Sequence, residues 1–269
     1  MTHSVFVHAE SEDRTDSTLT NIARAGNERF FDAGDSADQT LIPDNMNNIL
    51  MVYFGQDQAD DFVRARITAP TIAEAPFDFV NGWDGSTTRG QAASVYDFRD
   101  DPIKVIPSKD KTEILLAEAG GVVAVDAWGA VICGTNPLPR IDTPPESITH
   151  ILSGTYSAGN TTALTWTRFT YSLNSSLPAG RYRMYGGQHK LTTGIAVREL
   201  IKSGTNATEV VPYPLLPIRH TSEITHPYND FWGIGAEFPH DRIPAVELLT
   251  EAAEDPVDQG YELYLTKVA

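Results

Sequence analysis

Short runs of alternating apolar and polar residues, separated by turn residues, are the feature that most constrains the fold of this chain. The second half contains eight such runs, at residues 149–156, 162–172, 180–185, 194–200, 209–213, 231–237, 244–250 and 261–268. In the third run Tyr182 and Met184 alternate with two arginines, and in the last run Tyr261, Leu263 and Leu265 fall on one face. This alternation is typical of half-buried β-strands. Each apolar face needs a second sheet to cover it, so the pattern predicts an all-β fold of packed sheets, a sandwich or a barrel.

The first half shows the same signal more sparsely. The run 47–54 is apolar and the run 62–69 alternates, and the polar turn between them predicts a hairpin with a long loop. Further strands are expected at 103–106, 113–119, 122–128 and 130–133, with Gly129 as a break between the last two. Helical periodicity is weak, and only residues 20–30 and 245–254 are compatible with short helices.

A proline-rich segment divides the chain. Residues 136–145 contain four prolines in ten positions, which excludes a central strand or a helix interior. We interpret the segment as a linker or a long crossover between two β units. The polar residues 1–20 are interpreted as an N-terminal arm or a short edge segment. The predicted organisation is therefore this arm, a first β-sandwich unit at 21–140 and a second at 146–269.

The net charge is strongly negative. The 20 basic and 36 acidic residues give −16 at pH 7, so the chain should repel phosphate backbones and direct nucleic-acid binding is not expected. Lysine is scarce, at 6 residues against 14 arginines. Abundant aspartate with little lysine is expected of a halophilic surface that stays hydrated in strong salt, and an ordinary acidic surface is the alternative.

Neither a signal peptide nor a transmembrane helix is expected from the sequence. Four acidic residues lie within the first 16 positions, where a signal peptide would be basic and then apolar. The most apolar stretch, 120–133, is short and contains Asp126, so no transmembrane helix is expected. We therefore expect the protein to act in the cell that makes it, or to leave by lysis or assembly.

No metal or cofactor motif stands out. None of the seven histidines has the spacing of a His-x-His pair or a zinc-binding helix, although His220 and His226 are six residues apart across a predicted loop. Asp32, Asp35 and Asp38 offer carboxylates to a cation, but the segment lacks the ligand order of an EF-hand loop. We expect surface or satisfied histidines, a solvated acidic loop, and no cofactor.

No catalytic motif stands out either. A Gly-x-Ser-x-Gly elbow is absent from the sequence, and Cys133, its one cysteine, ends an apolar run and is expected to be a small buried side chain. Glu118 and Asp126 exemplify the many carboxylates that could pair for glycoside cleavage, but sequence does not give their separation. We expect no enzymatic activity, and name no catalytic residue.

Tryptophans and glycosylation patterns each have a functional and a structural interpretation. Exposed tryptophans would stack on sugars, whereas buried ones would pack a core or a subunit contact, which is the expectation here. The four tryptophans are Trp83, Trp128, Trp166 and Trp232. The acceptor pattern for N-glycosylation begins at Asn160, Asn174 and Asn206. With no export signal expected, these three sites are interpreted as turn sequences.

Several segments carry a resemblance to a known family. They read LPAGRYRMYGG at 177–187, GIAVREL at 194–200, FWGIGAEFPHDRIPAVELL at 231–249 and DPIKVIP at 101–107. Together they resemble the jelly-roll major capsid proteins of tailless icosahedral viruses of bacteria and archaea. The resemblance implies eight-stranded jelly-roll sandwiches, trimeric or pseudo-hexameric capsomers and, in many members, a membrane beneath the shell. The acidic N-terminal arm departs from a membrane-contacting pattern.

Two jelly rolls would use nearly all of the 269 residues, and one elaborated single jelly roll is the alternative. The expected function is a structural subunit of a viral capsid, located in a virion assembled in the host cytoplasm. Its expected partners are copies of itself and other virion proteins. The alternative is a carbohydrate- or receptor-binding β-sandwich of a spike or adhesin, in which Trp83 or Trp232 would line a groove.

Overall fold

A computed structural model describes short segments of the N-terminal half and about three quarters of residues 135–269. It describes residues 11–14, 20–21, 26–27, 40–41, 48–56, 63–68, 77–80, 94–98, 101, 103–104, 111–118, 125–134, 147–202, 209–210, 214–215, 218–219, 230–250 and 252–269. The regular structure within these ranges is β-strand apart from one short 3₁₀ turn. The all-β prediction is therefore confirmed for the described residues.

The chain forms two compact units, an N-terminal unit of residues 6–137 and a C-terminal unit made mainly of residues 138–269. The strands of the N-terminal unit are β1 (Ser11–Arg14), β2 (Thr20–Asn21), β3 (Thr40–Leu41), β4 (Asn48–Gln56), β5 (Val63–Thr68), β6 (Phe77–Val80), β7 (Ser94–Asp97), β8 (Ile103–Lys104), β9 (Lys111–Glu118) and β10 (Val125–Gly134). One sheet has the order β1-β10-β4-β7, with β8 also paired to β4. The other has the order β2-β9-β5-β6, with β3 also paired to β9.

Two expectations for the N-terminal unit are wrong. The strands β4 and β5 do not form a hairpin, because β4 pairs with β10, β7 and β8 in one sheet while β5 pairs with β6 and β9 in the other. Gly129 does not break a strand either, since it pairs with Phe54 in the middle of β10. A glycine weakens a strand but does not end it when partners on the neighbouring strand hold the register. Residues 11–14, within the segment interpreted as an arm or edge, form the strand β1 at one end of its sheet.

Eleven strands are described in the C-terminal unit. They are β11 (His150–Tyr156), β12 (Thr167–Phe169), β13 (Tyr171–Leu173), β14 (Arg181–Leu191), β15 (Gly194–Lys202), β16 (Glu209–Val210), β17 (Pro214–Leu215), β18 (Ile218–Arg219), β19 (Asp230–Pro239), β20 (Ala245–Thr250) and β21 (Gly260–Lys267). A single 3₁₀ turn, Pro256–Asp258, is capped by the Asp255 carboxylate, which accepts from the Val257 amide.

The strands of the C-terminal unit form two sheets that enclose its core. The first, sheet 1, has the order β13-β11-β21-β14 with β19 on the far side of β14, and β18 pairs with β14 in parallel. The second, sheet 2, has the order β12-β20-β15, and both β16 and β17 pair with β15. The buried core includes Tyr182, Leu263 and Leu265 of sheet 1 and Val246 and Leu248 of sheet 2. Burial of these apolar side chains from both sheets is what holds the layers together.

Short helices were compatible with 20–30 and 245–254, and both expectations fail where the structure can be compared. Residues 20–21 are the strand β2 and residues 245–250 are the strand β20. In β20 the pairing with β15 on one side and β12 on the other overrides any local helical preference. Among the described residues, no helix is long and apolar enough to span a bilayer.

Candidate functional site

A β-bulge determines which side chains of β14 enter the core. Tyr182 and Met184 point inward, as the alternation predicts, and both are buried. The register then shifts between Met184 and Gly186, and Gly186 adopts φ of 152°, a conformation that favours glycine. After this shift the odd positions point inward, so His189 is fully buried. Without the bulge, His189 would lie on the outer face of the strand.

Glu199 enters the same core from the opposite sheet. It lies on β15 and pairs in register with Val246 of β20, whose side chain is also buried. Neither Glu199 nor His189 has any solvent exposure, and their Oε1 and Nε2 atoms are 2.9 Å apart. A buried carboxylate is costly unless it is paired or accepts hydrogen bonds. The His189–Glu199 contact therefore joins sheet 1 to sheet 2 through a polar interaction inside an apolar core.

Three tyrosines of sheet 1 surround this pair. The Tyr156 hydroxyl is 2.8 Å from Nδ1 of His189, and the Tyr171 hydroxyl donates to Oε1 of Glu199. The rings of Tyr171 and Tyr261 are packed with their centroids 3.9 Å apart. We call His189, Glu199 and these three tyrosines the buried polar cluster.

Three polar atoms of the buried polar cluster lack a hydrogen-bond partner among the described residues: Oε2 of Glu199, Nε2 of His189 and the hydroxyl of Tyr261. Nε2 of His189 is close to Oε1 of Glu199, but the two are not aligned as a hydrogen bond. Their contact is therefore an ion pair only when His189 carries a second proton on its ring. Such a partly satisfied network is sensitive to the charge of its members, because the low-dielectric core strengthens every electrostatic term.

The tyrosines remain neutral over the physiological range. Burial, followed by the Glu199 charge, raises the pKa of Tyr156 and of Tyr171 well above the ordinary value for a phenol. The same two causes raise the pKa of Tyr261. The charge of the cluster is therefore carried by His189 and Glu199 alone.

A second buried ionic group lies on the other face of β15. The Arg198 Nε donates to Oε2 of Glu247 on the neighbouring strand β20 at 2.5 Å. The Arg198 guanidinium also stacks over the ring of Trp166, 4.0 Å from its centroid. Because Trp166 is 2% exposed, it packs against a cation in the interior and is not a sugar-stacking surface.

A third, more exposed ionic group joins β14 to β19. Glu237 accepts from Arg183 at 2.6 Å and from Arg181 at 3.3 Å. The hydrogen bonds from Arg183 hold the pKa of Glu237 below its usual range. Both arginines lie on the face of β14 opposite Tyr182 and Met184, as the alternation predicts.

The other histidines and the candidate metal ligands were also compared with the structure. His150 contacts Thr149 Oγ1 and packs edge-on against Tyr182, and His240 Nδ1 is 3.3 Å from the Gly180 amide. Within the described ranges, no three His, Cys, Asp or Glu side chains are grouped closely enough to hold a metal ion. Candidates outside the described residues are His3, His8, His220, His226, Asp32, Asp35 and Asp38.

The remaining candidates are distributed over both units. Glu118 ends β9 in one sheet of the N-terminal unit, and Asp126 lies on β10 in the other sheet. Cys133 is also on β10, paired with Ile49. Trp128 and Trp232 lie on β10 and β19, where the structure describes the backbone, and Trp83 and Asn206 lie outside the described residues. Asn160 and Asn174 are both exposed, and the Asn174 side chain donates to the Ser153 hydroxyl at 3.4 Å.

The buried polar cluster was not anticipated from the sequence, which grouped His189 with surface or satisfied histidines. The available signal was Glu199, a carboxylate between Val197 and Ile201 in a run whose inward positions are otherwise apolar. A charged residue at an inward position predicts a buried partner. No protein-family model matches the chain, and no curated protein matches it significantly.

Proposed function

We propose that each unit is a jelly roll and that the chain is a structural subunit of a viral capsid. The observation that carries this proposal is the strand order, which is the same in both units. In a jelly roll, eight strands counted along the chain form two sheets. The first, eighth, third and sixth strands form one sheet in that order, and the second, seventh, fourth and fifth form the other.

The N-terminal unit fits this order when strands that share one partner are counted together. The strands β2 and β3 both pair with β9, and β7 and β8 both pair with β4. Counted in this way the unit has eight strands, and its sheets read β1-β10-β4-β7 and β2-β9-β5-β6. Numbered by position, the first sheet reads first, eighth, third and sixth, and the other reads second, seventh, fourth and fifth, which matches the jelly-roll order given above.

The C-terminal unit fits in the same manner. The strands β16 and β17 both pair with β15 and occupy the fifth position. Sheet 1 then contains β11-β21-β14-β19 and sheet 2 contains β12-β20-β15 followed by the fifth position. The strands β13 and β18 are additions at the margins of sheet 1.

Two complete sets of eight strands favour a double jelly roll over one elaborated single jelly roll. Eight-stranded jelly rolls are what the sequence resemblance to capsid proteins of tailless icosahedral viruses implies. Fold alone does not define function, so the assignment to a capsid also rests on that resemblance. Among the described residues of the C-terminal unit, His189 and Glu199 contact each other and tyrosines, and Arg198 pairs with Glu247, which suits a rigid building block.

In the proposed capsid, the chain contacts copies of itself in trimers or pseudo-hexamers, together with other virion proteins. A net charge of −16 per copy opposes close packing, and high external salt would screen it. The proposed location is the virion, assembled in the host cytoplasm, with a membrane beneath the shell as one arrangement of the family it resembles.

Assembly of the purified full chain tests the proposal. Analytical ultracentrifugation in dilute buffer and in multimolar salt should give trimers or larger assemblies whose share grows with salt, and electron microscopy should show capsomers or shells. A chain that stays monomeric at high concentration in both solutions contradicts a capsid role. A glycan array addresses the alternative, because sugar binding lost on Trp232→Ala with the fold retained would favour a receptor-binding module.

A further inference from the structure

The buried polar cluster connects the two sheets of the C-terminal unit through side chains that exchange protons. His189 belongs to β14 of sheet 1 and Glu199 to β15 of sheet 2, and both are fully buried. We propose that this pair is a proton-dependent latch, which holds the two sheets together most strongly when it contains one proton. The proposal concerns the folded chain itself and does not depend on the capsid assignment.

The argument begins with the net charge of the pair. One proton shared by an imidazole and a carboxylate gives zero net charge, either as an imidazolium beside a carboxylate or as two neutral groups. Removing that proton leaves one uncompensated negative charge in the core, and adding a second leaves one uncompensated positive charge. An isolated charge in an apolar interior costs several kcal/mol even after relaxation. Both departures therefore weaken the closed sandwich.

Among the residues that the structure describes, the groups that face the pair supply no compensating charge. Tyr156 on β11, Tyr171 on β13 and Tyr261 on β21 are neutral phenols. Glu254, in the segment between β20 and the 3₁₀ turn, acts electrostatically on Tyr156 and adds a further negative field. Its carboxylate accepts from the Thr193 amide and hydroxyl.

A further described pair of charges, Arg198 and Glu247, lies on the other face of sheet 2. There Arg198 is paired with Glu247, which neutralises its charge. Whether the latch holds its proton therefore depends on His189 and Glu199 themselves.

Counting protons gives the pH range. In the unfolded chain a histidine is protonated below about pH 6.5 and a glutamate below about pH 4.3. In the unfolded chain the two groups together therefore bind no proton above about pH 6.5, one proton between about pH 6.5 and pH 4.3, and two protons below about pH 4.3. If the folded pair retains one proton throughout, stability is greatest between these values. It falls as pH rises above the first value, because the folded state then binds more protons than the unfolded state, and it falls as pH drops below the second.

Amide hydrogen exchange of the full chain tests the latch. Peptides covering β14 and β15 are followed by mass spectrometry from pH 6 to 9, with rates corrected for intrinsic exchange. A difference of one proton predicts that the opening equilibrium constant of these strands rises about tenfold per pH unit above neutrality. In His189→Gln and in Glu199→Gln the dependence should disappear from the same peptides.

His150→Gln is the matched control, because His150 lies at the opposite end of β11 from Tyr156 and contacts Thr149 and Tyr182, and it should retain the tenfold dependence. If His189→Gln or Glu199→Gln fails to fold, the pH dependence of exchange in the wild-type chain still tests the latch. A steep rise in opening confined to β14, β15 and the strands they pair with supports the latch. Opening that is flat with pH, or a slope that persists in His189→Gln, overturns it.

Discussion

Glu199 and His189 lie on different sheets of the C-terminal unit, and their Oε1 and Nε2 atoms are 2.9 Å apart with no solvent exposure. Such a pair contributes little net stability, since the desolvation of both groups offsets their attraction. The pair instead favours one relative position of the two sheets. Because the two partners come from different sheets, a sandwich whose sheets slip past each other leaves both groups buried and unpaired.

Removing one partner should therefore cost much more than replacing both. Glu199→Ala leaves His189 without its electrostatic partner and the Tyr171 hydroxyl without its acceptor, and we expect the free energy of unfolding to fall by about 3–5 kcal/mol. The double variant Glu199→Leu/His189→Leu buries two apolar groups instead, and should recover most of that loss. Urea denaturation followed by circular dichroism measures both. A double variant as unstable as the single one would show that the pair is not the source of the loss.

Arg198 stabilises sheet 2 through its planar guanidinium as well as through its charge. It donates to Glu247 and stacks over Trp166 at 4.0 Å. Arg198→Lys keeps the charge and removes the flat surface, so we expect a loss of about 1–2 kcal/mol from cation–π and packing terms. Arg181→Lys on β14, where Arg181 forms an exposed salt bridge with Glu237, is the control and should change stability little. Equal losses in the two variants would refute a specific role for the stacking.

The strand content of this chain follows from its sequence more completely than the pairing does. The run 261–268 alternates, and β21 forms there with Tyr261, Leu263 and Leu265 buried. The expected β4–β5 hairpin fails because the chain passes from one sheet to the other between these two strands. Local turn signals report that the chain reverses, but the partner of each strand is set by long-range burial, which one sequence does not encode locally.

The buried polar cluster was missed for a similar reason. The alternation at Tyr182 and Met184 correctly predicts the inward face of the first part of β14. Extended without interruption, it places Gln188 inward and His189 outward. The bulge after Met184 reverses this parity. Bulges add one residue to one strand, and the sequence signal here is no more than the pair Gly186-Gly187.

The three tyrosines of the cluster should remain protonated in alkali for as long as the fold persists. Burial raises the pKa of Tyr156 and Tyr171 well above the ordinary value. A group with a raised pKa in the folded state stabilises fully below its unfolded value, about pH 10, and that contribution is lost as pH rises further. Absorbance at the tyrosinate band should therefore rise in two stages, the second coinciding with unfolding.

The variant Tyr171→Phe provides the control for this titration. It should reduce the amplitude of the second stage and leave the first stage unchanged, because Tyr171 belongs to the buried set. A single stage at the ordinary pKa of all ten tyrosines would contradict the described burial of the cluster.

Gly154 fixes the distance between β11 and its neighbours β13 and β21. A Cβ at this position would lie 2.0 Å from the Ser172 carbonyl oxygen and 2.9 Å from the Tyr261 hydroxyl. The first of these atoms belongs to the backbone of β13 and cannot turn away, so Gly154→Ala must displace a strand. We expect a loss of about 1–3 kcal/mol in the free energy of unfolding, together with a shift in the near-ultraviolet circular dichroism of the tyrosines.

Gly260 offers a matched control on the adjacent strand β21. A Cβ there would have the Gly154 carbonyl oxygen as its nearest neighbour at 3.9 Å, an ordinary contact. Gly260→Ala should therefore leave stability close to that of the wild type, or increase it slightly by restricting the unfolded chain. If Gly154→Ala is tolerated as well as Gly260→Ala, the close approach of β11 and β13 at Ser172 is wrong. The placement of Tyr171 beside Glu199, which depends on that pairing, would then have to be revised.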